Sequence, residues 1–177
     1  MKRTTRVLVW LGQVTLALSA CESPISVELD PGPLLQTSEG QYELEWTGNG
    51  YRSVIPYTFE NRTLDTVFLV NCNGATPPML EVKQDGQWVA AWYPVLLLCL
   101  SPAIEIQPGD LYRDTLRFFG ALPDSGVLPA FEQEPVEGIY RLRWTKALTS
   151  FDPDSTPFGE PLDYSNSVSN AFSLELR

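Results

Sequence analysis

The sequence predicts an all-β domain, an antiparallel β-sandwich of about eight or nine strands. Three observations carry that prediction. Apolar and polar residues alternate with a period of two through most of the chain. No stretch has the 3.6-residue period of a long helix. Finally, 15 prolines and 12 glycines break the sequence into short runs.

The first element precedes the domain. In "MKRTTRVLVWLGQVTLALSAC", Lys2, Arg3 and Arg6 form a positive start, and Val7 to Leu18 form a mostly apolar run of 12 residues. This is the anatomy of a secretory signal peptide, and the run is too short to cross about 30 Å of hydrocarbon as a helix. Leu18-Ser19-Ala20-Cys21 resembles the lipobox of bacterial lipoproteins. The resemblance implies that residues 1–20 are a leader cleaved before Cys21, that the Cys21 sulfur carries a lipid thioether, and that the new amino terminus is acylated. Each buried methylene contributes about 0.8 kcal/mol, and two or more chains hold a protein stably on a membrane. Glu22 follows the cysteine where Asp would mark inner-membrane retention, so the expected site in a Gram-negative cell is the outer membrane.

Residues 21–37 read as lipidated cysteine and tether, with a possible first strand at 25–29 where Ile25, Val27 and Leu29 alternate with polar residues. Residues 38–177 form the domain. Tyr42, Leu44 and Trp46 alternate with Glu43 and Glu45, which predicts a strand with all three rings and chains facing the core. A "TGNG" turn leads to the partner strand "YRSVIPYTFEN". Asn61-Arg62-Thr63 matches a glycosylation sequon, but a turn role for Asn61 fits better. "TVFLVNC" follows. "MLEVKQ" and "QWVAAW" flank Asp85-Gly86, the strongest short hairpin signal. "IQPGD" turns the chain into "LYRDTLRFF", then come "GIYRLRWTKAL" and "NAFSLEL", with Phe172, Leu174 and Leu176 on one face.

Trp88 to Leu100 is a run of 13 apolar residues broken at Pro94. It reads as a strand, a bend and a buried segment. The alternative is a partly exposed patch for a partner, with Trp92 and Tyr93 as contacts. Two connections, 120–138 and 148–166, exceed ordinary loop lengths, and such loops usually carry function or are disordered. Phe151 and Phe158 are the candidate contacts in the second.

Composition excludes several roles. Once the leader is removed, nine basic residues face 22 acidic ones, a formal charge of −13. That argues against nucleic acid and anionic headgroups as partners. The chain has no histidine, and so lacks the commonest general base and metal ligand. Assigning Cys21 to lipid leaves Cys72 and Cys99 for a disulfide that would close a loop of 28 residues, a constraint worth roughly 3.5 kcal/mol. Two buried thiols are the alternative.

No catalytic constellation emerges, and neither cofactor nor metal is expected. Serines lack an S-x-x-K partner, and the acids sit on outward strand positions or in loops. Asp152-Pro153-Asp154 lacks the remaining ligands of a calcium loop and reads as Asx turns. Arg113 and Arg117, like Arg141 and Arg143, alternate with apolar residues. Were their strands neighbours, the four would share one outward face, able to capture an anion or to pair with outward glutamates. Trp46, Tyr51, Trp88, Trp92 and Tyr93 read as core rings before a sugar-stacking platform.

The stretches "YTFENRTLDTVFLV", "LEVKQDGQWV", "IQPGDLYRDTLRF" and "EGIYRLRW" resemble the strand-and-turn order of bacterial immunoglobulin-like domains, among them the intracellular proteinase inhibitor family. The resemblance implies an immunoglobulin-like sandwich over roughly 51–146. Gly138-Ile139-Tyr140 also resembles the tyrosine corner, which would make 139–146 strand F, Tyr140 a structural hydrogen-bonder and 148–166 the F–G loop. The leader and lipobox depart from the inhibitor family, so no inhibitory residues carry over. The expected function is that of a lipid-anchored cell-envelope protein with a non-enzymatic, protein-binding domain. The alternatives are proteinase-inhibitor-like activity and binding of carbohydrate or peptidoglycan.

Overall fold

Eleven strands and one four-residue helix make up the computed structural model, which describes residues 32–95, 101–134 and 136–177. The leader, Cys21, the possible strand at 25–29, and Cys99 with residues 96–100 lie outside the described residues. The strands are β1 (Leu35–Thr37), β2 (Gln41–Trp46), β3 (Gly50–Glu60), β4 (Val67–Leu69), β5 (Met79–Gln84), β6 (Gln87–Trp92), β7 (Ile104–Ile106), β8 (Leu111–Ala121), β9 (Gly138–Arg143), β10 (Ala147–Leu148) and β11 (Phe172–Leu176). Helix α1 spans Tyr164–Ser167.

The fold is an all-β sandwich. One layer is built on the long antiparallel pair β3–β8, which runs in register from Gly50↔Ala121 to Glu60↔Leu111. The other layer has the order β2-β11-β9-β5-β6. Strand β2 joins them. Its residues 41–44 pair in parallel with β11, then Glu45 and Trp46 pair with Arg52 and Tyr51 of β3. That parallel pair makes the sheet mixed, where sequence predicts antiparallel pairing throughout. The Asp85-Gly86 hairpin forms as expected, with both residues at positive φ (48° and 81°).

The strands outnumber the eight or nine expected because β1, β4, β7 and β10 have only two or three residues. So short a run leaves no alternation to read. Strand β1 also falls inside the segment assigned to the tether. It shares an edge of β3 with β2, and Pro56, which has no N–H to donate, falls between the two pairings.

The two inner faces meet in one core. From the first layer come Ile55, Tyr57, Phe59, Leu116 and Phe118, and from the second Leu80, Val82, Tyr140, Leu142, Phe172 and Leu174. Trp92 of β6 packs on Phe118 of β8 at 5.2 Å although their strands are not paired. Trp144 sits against Tyr57, Phe59 and Tyr112, and its indole N–H donates to the Thr76 carbonyl at 3.0 Å. Two expected core positions are instead at the rim. Trp46 is 49% exposed, because β2 changes layers there and the ring leans on Tyr51. Leu176 ends the last strand 45% exposed.

Asn61 takes the turn role. It is fully buried, its amide donates to the Asp65 and Ile106 carbonyls, and its side-chain oxygen accepts from Thr63 N–H and Oγ1. The 120–138 connection is docked rather than free. Phe131 is buried, Ala121 and Ala130 form a bridge, and Phe131 bridges Trp92. A Cβ on Gly120 would come 2.6 Å from the Phe131 ring, so glycine is needed for this close approach.

Three tyrosines are held protonated. Burial raises the Tyr57 hydroxyl far above the ordinary value, helped by Asp114, whose carboxylate accepts from it at 3.1 Å. Burial also raises Tyr140 and Tyr112. A raised native pKa means the unfolded chain loses these protons first. Stability is therefore intact below the free tyrosine value of about 10 and declines as pH climbs above it. In an alkaline titration, tyrosinate absorbance from these residues is expected to rise together with loss of the β circular-dichroism signal. Ionisation of all seven tyrosines before any unfolding would contradict this burial.

Candidate functional site

A three-stranded sheet, in the order β10-β4-β7, positions the site. Each strand delivers one wall. Val70 follows β4, residues 101–105 lead into and through β7, and the 149–162 loop leaves β10. The loop is itself hydrogen-bonded as a hairpin: Thr149 N–H donates to Glu160 O at 2.8 Å and Asp152 N–H to Phe158 O at 2.7 Å. At its tip, the Asp152 carboxylate accepts from Asp154 N–H and Ser155 N–H donates to Asp152 O, giving the expected Asx turn. Gly159 is obligatory, since a Cβ there would lie 1.9 Å from the Ser150 carbonyl oxygen.

A buried ionic cluster fastens the far end of this loop. Glu81, on the outward face of β5, is only 3% exposed. Its carboxylate accepts from Arg141 Nε at 2.7 Å and Arg143 Nη1 at 3.0 Å, both on β9, and from the Tyr164 hydroxyl of α1 at 3.2 Å. Arg141 Nη2 also donates to the Tyr164 hydroxyl. The Arg141 guanidinium lies between two rings, 4.3 Å from the centre of Trp88 and 5.2 Å from that of Tyr164, and Arg143 stacks on Tyr164 at 4.7 Å. Burial, with the Glu81 charge next, raises the Tyr164 hydroxyl.

Between the loop and the approach to β7 lies a cleft of about 480 Å³, lined by Val70, Pro102, Ala103, Phe151, Pro153 and Phe158, with Ser101 and the carboxylates of Glu105 and Asp154 as its polar groups. Phe68 of β4 stacks on Phe151 at 6.2 Å, and Phe151 meets Phe158 at 6.4 Å, so an aromatic row runs from the small sheet to the surface. Phe158 ends the row 47% exposed. A mostly apolar concavity with a few convergent polar groups has the character of a binding site.

The structure brings Phe151 and Phe158 together, but it separates the four arginines. Strand β8 pairs with β3 in one layer, while β9 lies between β11 and β5 in the other, so no shared face exists. Arg113 and Arg117 stand exposed on the first layer, whereas Arg141 and Arg143 are committed to Glu81. Trp92 is core, its indole N–H donating to the Phe119 carbonyl at 2.9 Å, and Tyr93 is 48% exposed. Gly138 and Tyr140 open β9, where the Tyr140 hydroxyl donates to the Val136 carbonyl at 2.7 Å. Cys72 is disulfide-bonded.

Sequence reasoning missed Val70, Pro102, Ala103 and Glu105, which no pattern joins to residues 151–158. It expected arginines paired with outward glutamates, as Arg141 and Arg143 are with Glu81, but singled out neither Glu81 nor Tyr164. A carboxylate within "MLEV" was the available signal. Among the described residues, no group of three or more His, Cys, Asp or Glu side chains could hold a metal, and no helix is long and apolar enough to cross a membrane.

Glu81→Leu should strand two arginines beside apolar surface and lower stability by about 3–5 kcal/mol. Adding Arg141→Met should recover part of that loss in urea denaturation. Simple additivity of the two substitutions would mean the residues are not coupled. No protein-family model matches this chain, and no curated protein matches it in sequence.

Proposed function

We propose that this chain is a lipid-anchored protein of the bacterial cell envelope, in which the sandwich binds another protein through the Phe151–Phe158 cleft without performing catalysis. The observation that carries the reading is the cleft itself. Two stretches that sequence leaves unassigned to the core, the segment after the apolar run and the 148–166 connection, line one apolar recess, and the second of them is hydrogen-bonded as a hairpin. An exposed aromatic in such a recess suits a protein contact. The anchor rests on the order of charge, apolar run and Leu18-Ser19-Ala20-Cys21. The absence of histidine and the commitment of Arg141, Arg143 and Tyr164 to Glu81 support a non-catalytic role.

Two features favour the immunoglobulin-like version of the sandwich. Strand order β11-β9-β5-β6 faces β2-β3-β8, and the Tyr140 hydroxyl reaches back four residues as a tyrosine corner does. On this reading the cleft is built by the loop that connects strands F and G.

The experiment is in-cell photocrosslinking from position 158 in the full chain, with labelled palmitate followed in parallel. Label is expected on the wild type and none on Cys21→Ser. One protein should crosslink reproducibly from 158, and not from Val54 on the opposite layer. Absence of palmitate label would refute the anchor, and equal crosslinking from both positions would refute the cleft.

The cysteine partner of Cys72 is proposed to be Cys99. Asn73 N–H donates to Ser101 Oγ at 3.0 Å and Asn71 Nδ2 to the Pro102 carbonyl, so the Cys72 turn is already tied to residues just beyond Cys99. Cys72→Ser should lower the melting temperature of unreduced protein, on the scale of the roughly 3.5 kcal/mol loop constraint. An unchanged melt would show that this bridge adds no stability.

A further inference from the structure

We infer that the partner presents a basic side chain beside an apolar one, so that the apolar group enters the Phe151–Phe158 cleft and the cation meets Glu105 and Asp154. The inference rests on the cleft being the binding surface and adds the chemistry of what fills it.

The cleft joins two kinds of group that favour the same ligand. Phe151 and Phe158 offer ring faces, which attract apolar groups and, through their quadrupoles, cations. Glu105 and Asp154 stand exposed at the same recess. Neither forms an ion pair with a described residue. The five described ion pairs join Arg52–Glu45, Arg62–Glu60, Arg141–Glu81, Arg143–Glu81 and Arg177–Glu43. Glu105 accepts only the neutral Gln107 amide, at 3.4 Å. The Asp154 N–H is taken up within its own loop by the Asp152 carboxylate, and the residue is exposed.

Charge selects among possible occupants. An anionic ligand would face two uncompensated carboxylates. A second copy of the chain, at a formal charge of −13 once the leader is removed, is disfavoured over distance. A basic segment is steered in, and its cation can engage a carboxylate while its stem lies on a phenylalanine face. Arginine suits this geometry better than lysine, being planar and able both to stack and to bind a carboxylate through two donors.

The test uses a display library of random decapeptides, selected on the full chain in non-ionic detergent at physiological salt. A parallel selection uses Phe158→Ala, a substitution at an exposed ring that leaves the core intact. Because an acidic protein attracts basic peptides unspecifically, only sequences enriched on the wild type at least tenfold over Phe158→Ala are counted. The expected consensus is an aromatic or aliphatic residue within two positions of Arg or Lys. The basic preference should vanish in Glu105→Gln/Asp154→Asn while the apolar preference remains. A Phe158-dependent consensus without a basic residue would overturn the charge assignment and leave the cleft standing. No Phe158-dependent enrichment would overturn both.

Discussion

A carboxylate on a sheet face cannot be buried alone, and Glu81 sets terms that the second layer must meet. Transfer of an unpaired charge out of water costs several kcal/mol, so its burial requires donors on every side. Arg141 and Arg143 supply them from the neighbouring strand, and Tyr164 from a helix far along the chain. Because Tyr164 must return to β5 and β9, the chain leaving β10 has a fixed point of return. The loop between them is therefore confined at both ends, and its own hydrogen bonds do the rest. The recess with Phe151 and Phe158 is a consequence of this confinement. The rings of Trp88 and Tyr164 add cation–π contacts to the Arg141 guanidinium.

The small sheet matters for the same reason. Its strands have only two or three residues, yet β4, β7 and β10 add Val67, Leu69, Ile106 and Ala147 to the core and bring together the ends of three connections. Asn61 and Asn71 act alongside them, satisfying backbone groups of turns that no strand could pair. Polar bonds of the two asparagines thus complete turns beside the small sheet, while the rings of Trp144, Tyr57 and Phe59 pack together in the core.

What could be read from sequence was whatever depends on neighbours along the chain. The Asp85-Gly86 hairpin, the alternation that buries Ile55, Tyr57 and Phe59, and the Asx turn at Asp152 are all local. What depends on pairing could not be read. Trp46 alternates perfectly with Glu45, but the strand changes layers beneath it and leaves the ring at the rim. The four arginines look alike in pattern, and only strand order shows that two belong to each layer. The cleft joins residues 70, 101–105 and 151–158, a juxtaposition with no periodicity. Its aromatic half was visible as a long, phenylalanine-bearing connection, whereas its other half, Val70 and residues 101–105, was not.

The long strand β8 has a consequence for how copies of the chain meet. Among the described residues β8 pairs with a strand, β3, along one edge only, and its other edge is covered toward the end, where Ala121 bridges Ala130 and the Trp92 indole donates to the Phe119 carbonyl. The uncovered part of that edge, from Leu111 to Arg117, is a template for another strand, and fibrous aggregation begins at such places. In a two-fold antiparallel approach centred on Thr115, Arg113 of one molecule would face Arg117 of the next, and like charges directly opposed destabilise a ladder. The two arginines that take no part in the Glu81 cluster or the cleft thus have a physical role of their own: they help keep a molecule crowded among copies of itself from joining them.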